Sequence, residues 1–358
     1  MTLIILLFLI TPSLSWAVSL EVVKTDGPGR LPSPPYQTPP DFLSCTMPKY
    51  MMGCLDRAMV REPIRVGNLW AFPIVGSDCQ AEQVLSMSKG MKRGDLTIRE
   101  LPAPNVNFLE ATNKGDRPVF LMGGETLMGG KQNRIISHDV VLFPHSGPIR
   151  VPVYCGERRR WTRGNGTFKG KDALAPAKLR QKGYAGASQD AIWSGISSRL
   201  SAGKVAAPTE DMQRIFQDPK TAGHMGECRR ILRRGFPAGT IGVIIFHKQQ
   251  PVGVEFFGSR SLFRELSDKV MQSYLMDYSI GGCEKRPKKI QSPKTQKARD
   301  FFARVKDSVK NTDQVPGPWC VFNFRSNSIS GQISTYGNLP VHLTGMENSP
   351  LPIQGMSQ

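Results

Sequence analysis

Short runs of alternating apolar and polar residues, cut by Gly, Pro and Asn, dominate the chain between residues 68 and 155. "NLWAFPIV" (68–75), "DLTIREL" (95–101), "NVNFLEAT" (105–112), "PVFLM" (118–122), "RIISHDVVLF" (134–143) and "PIRVPVYC" (148–155) follow one another. Runs of β-branched and aromatic residues between turn formers are the signature of strands. "AEQVLSMSKGM" (81–91) is a short helix among them. Strands at this spacing predict antiparallel pairing rather than strand–helix–strand units. Residues 156–187 are Gly-rich and basic and read as a long surface loop, a class that is functional or disordered when it occurs inside a domain.

From residue 188 the period lengthens. "SQDAIWSGISSRLSA" (188–202) is a helix capped by Ser188, with Ile192, Ile196 and Leu200 on one face. "PTEDMQRIFQD" (208–218) is a second helix. "SRSLFRELSDKVMQSYLMDY" (259–278) carries Leu262, Leu266, Val270 and Tyr274 as an i+4 ladder, and another helix is expected near 296–310. "GTIGVIIFHK" (239–248) has the continuous apolarity of a strand buried on both faces, and 319–346 closes the chain as two strands around a turn. The expected architecture is α+β: a mostly antiparallel, sandwich-like β core with several packed helices in the C-terminal half.

The N-terminal end follows a different pattern. "MTLIILLFLITPSLSWA" precedes the first charged residue, Glu21, and ends in Ser15-Trp16-Ala17. It reads as a secretory signal peptide cut after Ala17, so the protein is expected to be secreted or periplasmic, with no transmembrane helix after that peptide. A Pro-rich extension (18–64), one domain (65–346) and a tail (347–358) complete the expected organisation. Within that domain the divisions are β-rich 65–155, loop 156–187, helix-rich 188–310 and closing strands 319–346.

Seven cysteines in an exported chain leave at least one thiol outside any internal bridge. Cys155, in a strand-like run, is expected to be that thiol. Cys45, Cys54, Cys79, Cys228, Cys283 and Cys320 are expected to form three bridges of open connectivity. The formal net charge is +18, with basic residues concentrated in 155–171, 228–236 and 285–299. Such clusters attract polyanions or an anionic envelope surface, although 285–299 carries no aromatic residue to stack on bases and also reads as a solvated loop.

Motifs with fixed chemistry are missing. Lys131 comes one residue too late after Gly124 and Gly129 for a P-loop, and no dinucleotide, nucleophile-elbow or zinc-binding spacing occurs. No metal and no cofactor is expected. A Cys155 dyad with His138 or His145 is conceivable, but a cysteine inside a strand is ordinarily inert.

Three blocks nevertheless stand out: Gly124-Glu125-x-Leu127, Gly129-x-Lys131-Gln132-Asn133-Arg134 and Cys155-x-Glu157-x-x-Arg160-Trp161. Together with "SQDAIW" (188–193), "IGVIIF" (241–246), Arg325, Gly331 and Val341-His342-Leu343, they resemble the ADP-ribosylglycohydrolase and rhodanese-phosphatase-superfamily-associated protein domain. The resemblance spans roughly residues 65 to 346. The chain departs from that pattern at Thr126, Gly130 and Arg159. The resemblance implies a domain of undefined activity and hints at nucleotide-like or phosphate ligands.

Three readings of these blocks follow. As structure, Glu125 and Arg134 form a buried ion pair, and Gln132 and Asn133 bond loop backbone. As a binding site, Gly124, Glu125, Lys131, Gln132, Asn133, Arg134, Glu157, Arg160 and Trp161 hold a small anionic ligand of nucleotide, ADP-ribose or sugar-phosphate type. As an enzyme, Glu125 and Glu157 form an acid–base pair with His342 as a third participant, and the protein is a hydrolase. A non-catalytic structural or polyanion-binding envelope protein is the remaining alternative, so the sequence leaves open whether chemistry occurs.

Overall fold

The structure, a computed structural model, describes residues 49–80, 84–103, 105–160, 166–278, 291–317 and 319–348. Helix α1 (Lys49–Arg57) leads into β1 (Met59–Val60), β2 (Ile64–Val66) and β3 (Leu69–Val75). Strand β4 (Leu85–Ser86) and α2 (Met87–Arg93) precede β5 (Leu96–Arg99), β6 (Phe108–Asn113), β7 (Val119–Leu121) and β8 (Glu125–Gly129). Strands β9 (Arg134–Ile136), β10 (Val140–Leu142), β11 (Ser146–Cys155) and β12 (Phe168–Leu174) come next. Helices α3 (Ala177–Tyr184), α4 (Gln189–Gly203), α5 (Gln213–Gln217) and α6 (Pro219–Gly235) follow. Then come β13 (Thr240–His247), β14 (Gln250–Phe257), α7 (Arg260–Tyr278) and α8 (Thr295–Ser308). Strands β15 (Thr312–Gln314), β16 (Cys320–Arg325), β17 (Ile329–Tyr336) and β18 (Leu339–Glu347) end the described fold.

A nine-stranded sheet runs β1-β3-β13-β14-β18-β17-β16-β15, with β2 also paired to β3. Six strands form a second sheet, β12-β8-β9-β11-β6-β5, and three a third, β10-β7-β4. Among these, the β4–β7 pair is parallel and the rest are antiparallel. The α+β class with an antiparallel sheet-rich core and helices gathered in the C-terminal half is therefore what the chain adopts.

The two-residue period explains the layers. Along β13, Val243 and Ile245 join a core with α3, α4, α6 and α7, whereas Ile244 and Phe246 join a core with α1 and α8. All eight residues of β13 are buried because β3 and β14 flank it while both faces are covered. A third apolar cluster lies around the smaller sheets, from Leu85 and Met87 through Leu127 to Val153.

Several local expectations give way. The stretch 156–187 holds β12, which pairs with β8, and the buried face of α3, so it is not one loop. Its glycines and basic residues mark the strand's exposed positions: Lys169 and Gly170 are exposed while Phe168 and Ala173–Leu174 are buried. Within the expected N-terminal extension, Met51 and Leu55 of α1 are fully buried. The closing segment makes three strands rather than two, because Gly337 supplies a second turn at positive φ between β17 and β18.

Cys54 and Cys79 are bridged, tying α1 to the segment after β3, and Cys228 and Cys320 each take part in a disulfide bond of their own. Cys155 is free and buried, as expected. Cys45, Cys283 and the expected signal peptide lie outside the described residues. Among the described residues no helix is long and apolar enough to cross a membrane.

Gly242 offers a test of how tightly β13 is set. A Cβ there would lie 2.6 Å from the Glu255 carbonyl oxygen and 3.1 Å from the Phe256 Cα, both on the paired strand. Backbone cannot give way as a side-chain tip can, so Gly242→Ala is expected to destabilise the fold by about 1–3 kcal/mol in urea unfolding. An unchanged midpoint would show that β14 is free to shift.

Candidate functional site

The candidate residues separate into three clusters. Gln132, Asn133, Arg134, Glu157 and Arg160 come together where β9 meets the end of β11. Asn133 N donates to Glu157 Oε2 at 3.4 Å, Arg160 Nε donates to the same oxygen at 2.7 Å, and Arg160 Nη2 reaches Asn133 Oδ1 at 3.3 Å. Arg134 donates to Gln132 Oε1 at 3.1 Å and to Cys155 Sγ at 3.4 Å, and its Nη2 stands 3.7 Å from Glu100. Lys131 lends its backbone N–H to Glu100 Oε1 at 3.0 Å. Arg134 is fully buried and Glu157, Gln132 and Asn133 nearly so, while Arg160 keeps partial exposure. Trp161 lies outside the described residues.

Glu125 is elsewhere. Its carboxylate accepts from Lys269 Nζ at 2.8 Å and from the Met122 amide at 2.9 Å, with no exposure. Burial pulls the Lys269 ammonium down, but Glu125 beside it prevails and holds it above its ordinary value. The expected Glu125–Arg134 pair therefore does not form, because each group has a different counter-charge. The proposed Cys155 dyad does not form either. Burial pushes the Cys155 thiol up, while His138 bonds the Asp139 carbonyl and His145 pairs with Asp116.

His342 stands at the centre of a third, wholly buried constellation. Nδ1 lies 2.7 Å from Asp139 Oδ2, and Nε2 lies 2.8 Å from Glu255 Oε2. Glu255 also accepts from Arg180 Nη1 and from the Tyr274 hydroxyl, each at 2.9 Å. Asp139 further accepts from the Gly123 amide at 2.8 Å and from Ser334 Oγ at 3.0 Å. Burial opposes the imidazolium, but the two carboxylates outweigh it and raise His342 to about 9. Burial likewise opposes the Glu255 carboxylate, and Arg180 and His342 override it to about 2. Two carboxylates thus face two cations, a neutral set with satisfied hydrogen bonds, the condition under which buried charge is tolerated.

The glycine pair before Glu125 now has a physical reason. Gly124 takes φ +94°, and a Cβ on it would run into the stem of Arg180; one on Gly123 would run into the Tyr184 ring. Backbone comes close here to let an arginine pass beneath it. Arg180 Nε and the Tyr184 hydroxyl both donate to the Gly123 carbonyl, at 3.1 and 3.0 Å.

Above this constellation opens a cleft of about 430 Å³. Ser137 and His138 form one side, with Tyr154 of β11 and the end of α3 from Gly183 to Gly186. Asp313, Asn323, Arg325, Ser330 and Gln332, from β15 to β17, form the other. Two lining residues connect it to the charges below: Tyr184 bonds Arg180, and Gln332 accepts from the Asp139 amide while donating to Asn323 at 2.8 Å. The hydroxyls of Tyr154 and Tyr184 are committed to the Ala187 and Gly123 carbonyls, which fixes both rings. The exposed side chain of Arg325 has no hydrogen bond or ion pair to the described residues. Among the described residues no group of acids, histidines or cysteines could hold a metal ion.

Sequence reasoning does not find Asp139, Arg180, Glu255, Lys269 or Tyr274. Two of them leave a trace: Glu255 is a lone acid in the apolar run "VGVEFF", and Lys269 sits one position before the Val270 ladder residue. A charge in such company needs a counter-charge.

The raised His342 pKa has a sign. Its stabilisation is complete below the ordinary value of 6.5 and is lost as pH rises through about 9. Up to roughly 3 kcal/mol of unfolding free energy should disappear across that window. The Glu255 contribution disappears only as pH falls through about 2. Urea unfolding between pH 6 and 9.5 should show this slope in the native protein and a flatter one in His342→Gln. A native profile without slope would mean that the imidazole is neutral.

No curated protein and no solved structure matches the chain significantly. One family profile does, that of the ARG and Rhodanese-Phosphatase-superfamily-associated Protein domain, ARPP-1. The match spans residues 57–346 and takes in the Gly124–Arg134 and Glu157–Arg160 blocks, the cleft and the whole His342 constellation, so the protein belongs to the ARPP-1 family.

Proposed function

We propose that this protein is an exported binder of a small, polar, anionic ligand of nucleotide, ADP-ribose or sugar-phosphate type, held in the cleft over the His342 constellation. The observation that carries the reading is the cleft itself. About 430 Å³ is a volume suited to such a molecule, and the lining supplies what it needs. Arg325 offers a planar fork to a phosphate or carboxylate, Asn323, Ser330 and Gln332 offer hydroxyl-reading groups, and Tyr154 and Tyr184 offer aromatic surface. Because Gln332 and Tyr184 are anchored in the charged floor, these groups are pre-organised and little ordering cost falls on binding.

Binding is preferred to hydrolysis because Glu125 and Glu157 are each buried against a cation, Lys269 and Arg160, and neither lines the cleft. Their blocks support the reading indirectly, by shaping the sheet on which the cleft rests. Export is supported by the disulfide bonds at Cys54–Cys79, Cys228 and Cys320, which persist in oxidising compartments.

A thermal-shift screen with ADP-ribose, nucleotides and sugar phosphates tests the site. At 100 times Kd a ligand stabilises by about 2.7 kcal/mol, a rise of several degrees for a chain of this size. Arg325→Ala should leave the ligand-free melting temperature unchanged and abolish most of the shift, and Arg325→Lys should restore part of it. A hit whose shift survives Arg325→Ala places the ligand outside the cleft. For export, alkylation of the denatured, non-reduced protein should label one thiol, Cys155, by mass spectrometry. Labelling of all seven cysteines would assign the protein to a reducing compartment.

A further inference from the structure

A second cavity, of about 350 Å³, lies between the edge strand β1 and α8. Arg299, Phe302, Ala303 and Lys306 line it from the helix, at i, i+3, i+4 and i+7, and so share one face. Met59 and Arg61 line it from the strand side. Three cations and no acid face this groove. The side chains of Arg61 and Arg299 are exposed and have no hydrogen bond or ion pair to the described residues. Lys306 lies 5.9 Å over the Phe302 ring and pairs at 2.9 Å with Asp56, an exposed acid at the rim.

Protection of a sheet edge accounts for Arg61, since positive charge on an edge strand deters pairing with another chain. It does not account for Arg299 and Lys306, which are carried by a helix and turned into the same groove. Seven positions along the helix carry the chain from one to the other, a rise of about 10 Å, and Arg61 lines the groove from the opposite side. Cations distributed over that length match a chain of repeated negative groups, and a concave channel suits a linear polymer better than a membrane plane.

We propose that the β1–α8 groove is a binding site for a soluble linear polyanion bearing phosphate or sulfate groups, with Arg61, Arg299 and Lys306 as its contacts. The site is independent of the cleft and shares no lining residue with it. Arg299 is also the last residue of the basic segment 285–299.

The test uses the whole exported chain and fluorescently labelled heparin oligosaccharide or inorganic polyphosphate, followed by anisotropy from low to moderate salt. Arg61→Ala with Arg299→Ala should weaken binding at least tenfold and make the slope of log K against log salt shallower by about one to two units. Neither side chain has a partner to lose among the described residues, so the melting temperature should hold. Lys114→Ala with Lys169→Ala removes the same charge from exposed positions on β12 and just after β6, and should cost less than threefold. The probe that binds identifies whether phosphate or sulfate is preferred. Equal losses in the two double variants, absence of binding to both probes, or binding confined to phosphatidylglycerol vesicles would each overturn the proposal.

Discussion

A protonated imidazole held between two carboxylates, with an arginine closing the set, is the interaction on which the rest of this structure rests. Asp139 comes from the small-sheet region, Arg180 from α3, Glu255 and His342 from the large sheet, and Tyr274 from α7. Each group is buried, and none could remain charged there alone, because removing one partner leaves an uncompensated charge in a medium of low dielectric. The set therefore holds only one arrangement of sheets and helices. Apolar packing around it, from Phe120 and Phe257 against the His342 ring, supplies the stabilisation, while the charges supply the uniqueness.

That division explains the character of the cleft. Binding surfaces need side chains that keep their positions, and the cleft's central groups are tethered from beneath rather than by one another. Tyr184 and Gln332 each have one end in the charged floor and one end in the lining. The exposed side chain of Arg325 is the exception, with no such tether among the described residues.

The fold is legible in the sequence to the extent that its physics is local. Alternation along 68–155 reveals strands, the continuous apolarity of 239–248 reveals the twice-covered β13, and the ladder of 259–278 reveals α7, because each pattern is set by neighbours within a few residues. The pairing of the Gly129–Arg134 and Glu157–Arg160 blocks is also legible, through clustered polar residues in two connecting segments. What remains hidden is partner choice. Glu125 finds Lys269 across 144 residues and His342 finds Asp139 across 203, distances at which no periodicity speaks. Arg180 is hidden for a different reason: its surroundings are basic and Gly-rich, a composition that reads as loop, yet Pro176 starts a helix whose inner face is buried. The Gly123-Gly124 pair correctly signals close approach by something, and the structure identifies it as the Arg180 and Tyr184 side chains.

The placement of β13 beside β3 bears on how the polypeptide is made. Leu69–Val75 pairs along its full length with Thr240–His247, so the strand leaves the ribosome with β1 and β2 beside one edge while the neighbour of its other edge has not been synthesised. Such late, long-range pairing slows folding and favours post-synthetic collapse over stepwise growth. Fragments terminated upstream of residue 240 would carry a sticky, half-built sheet and be candidates for rapid proteolysis.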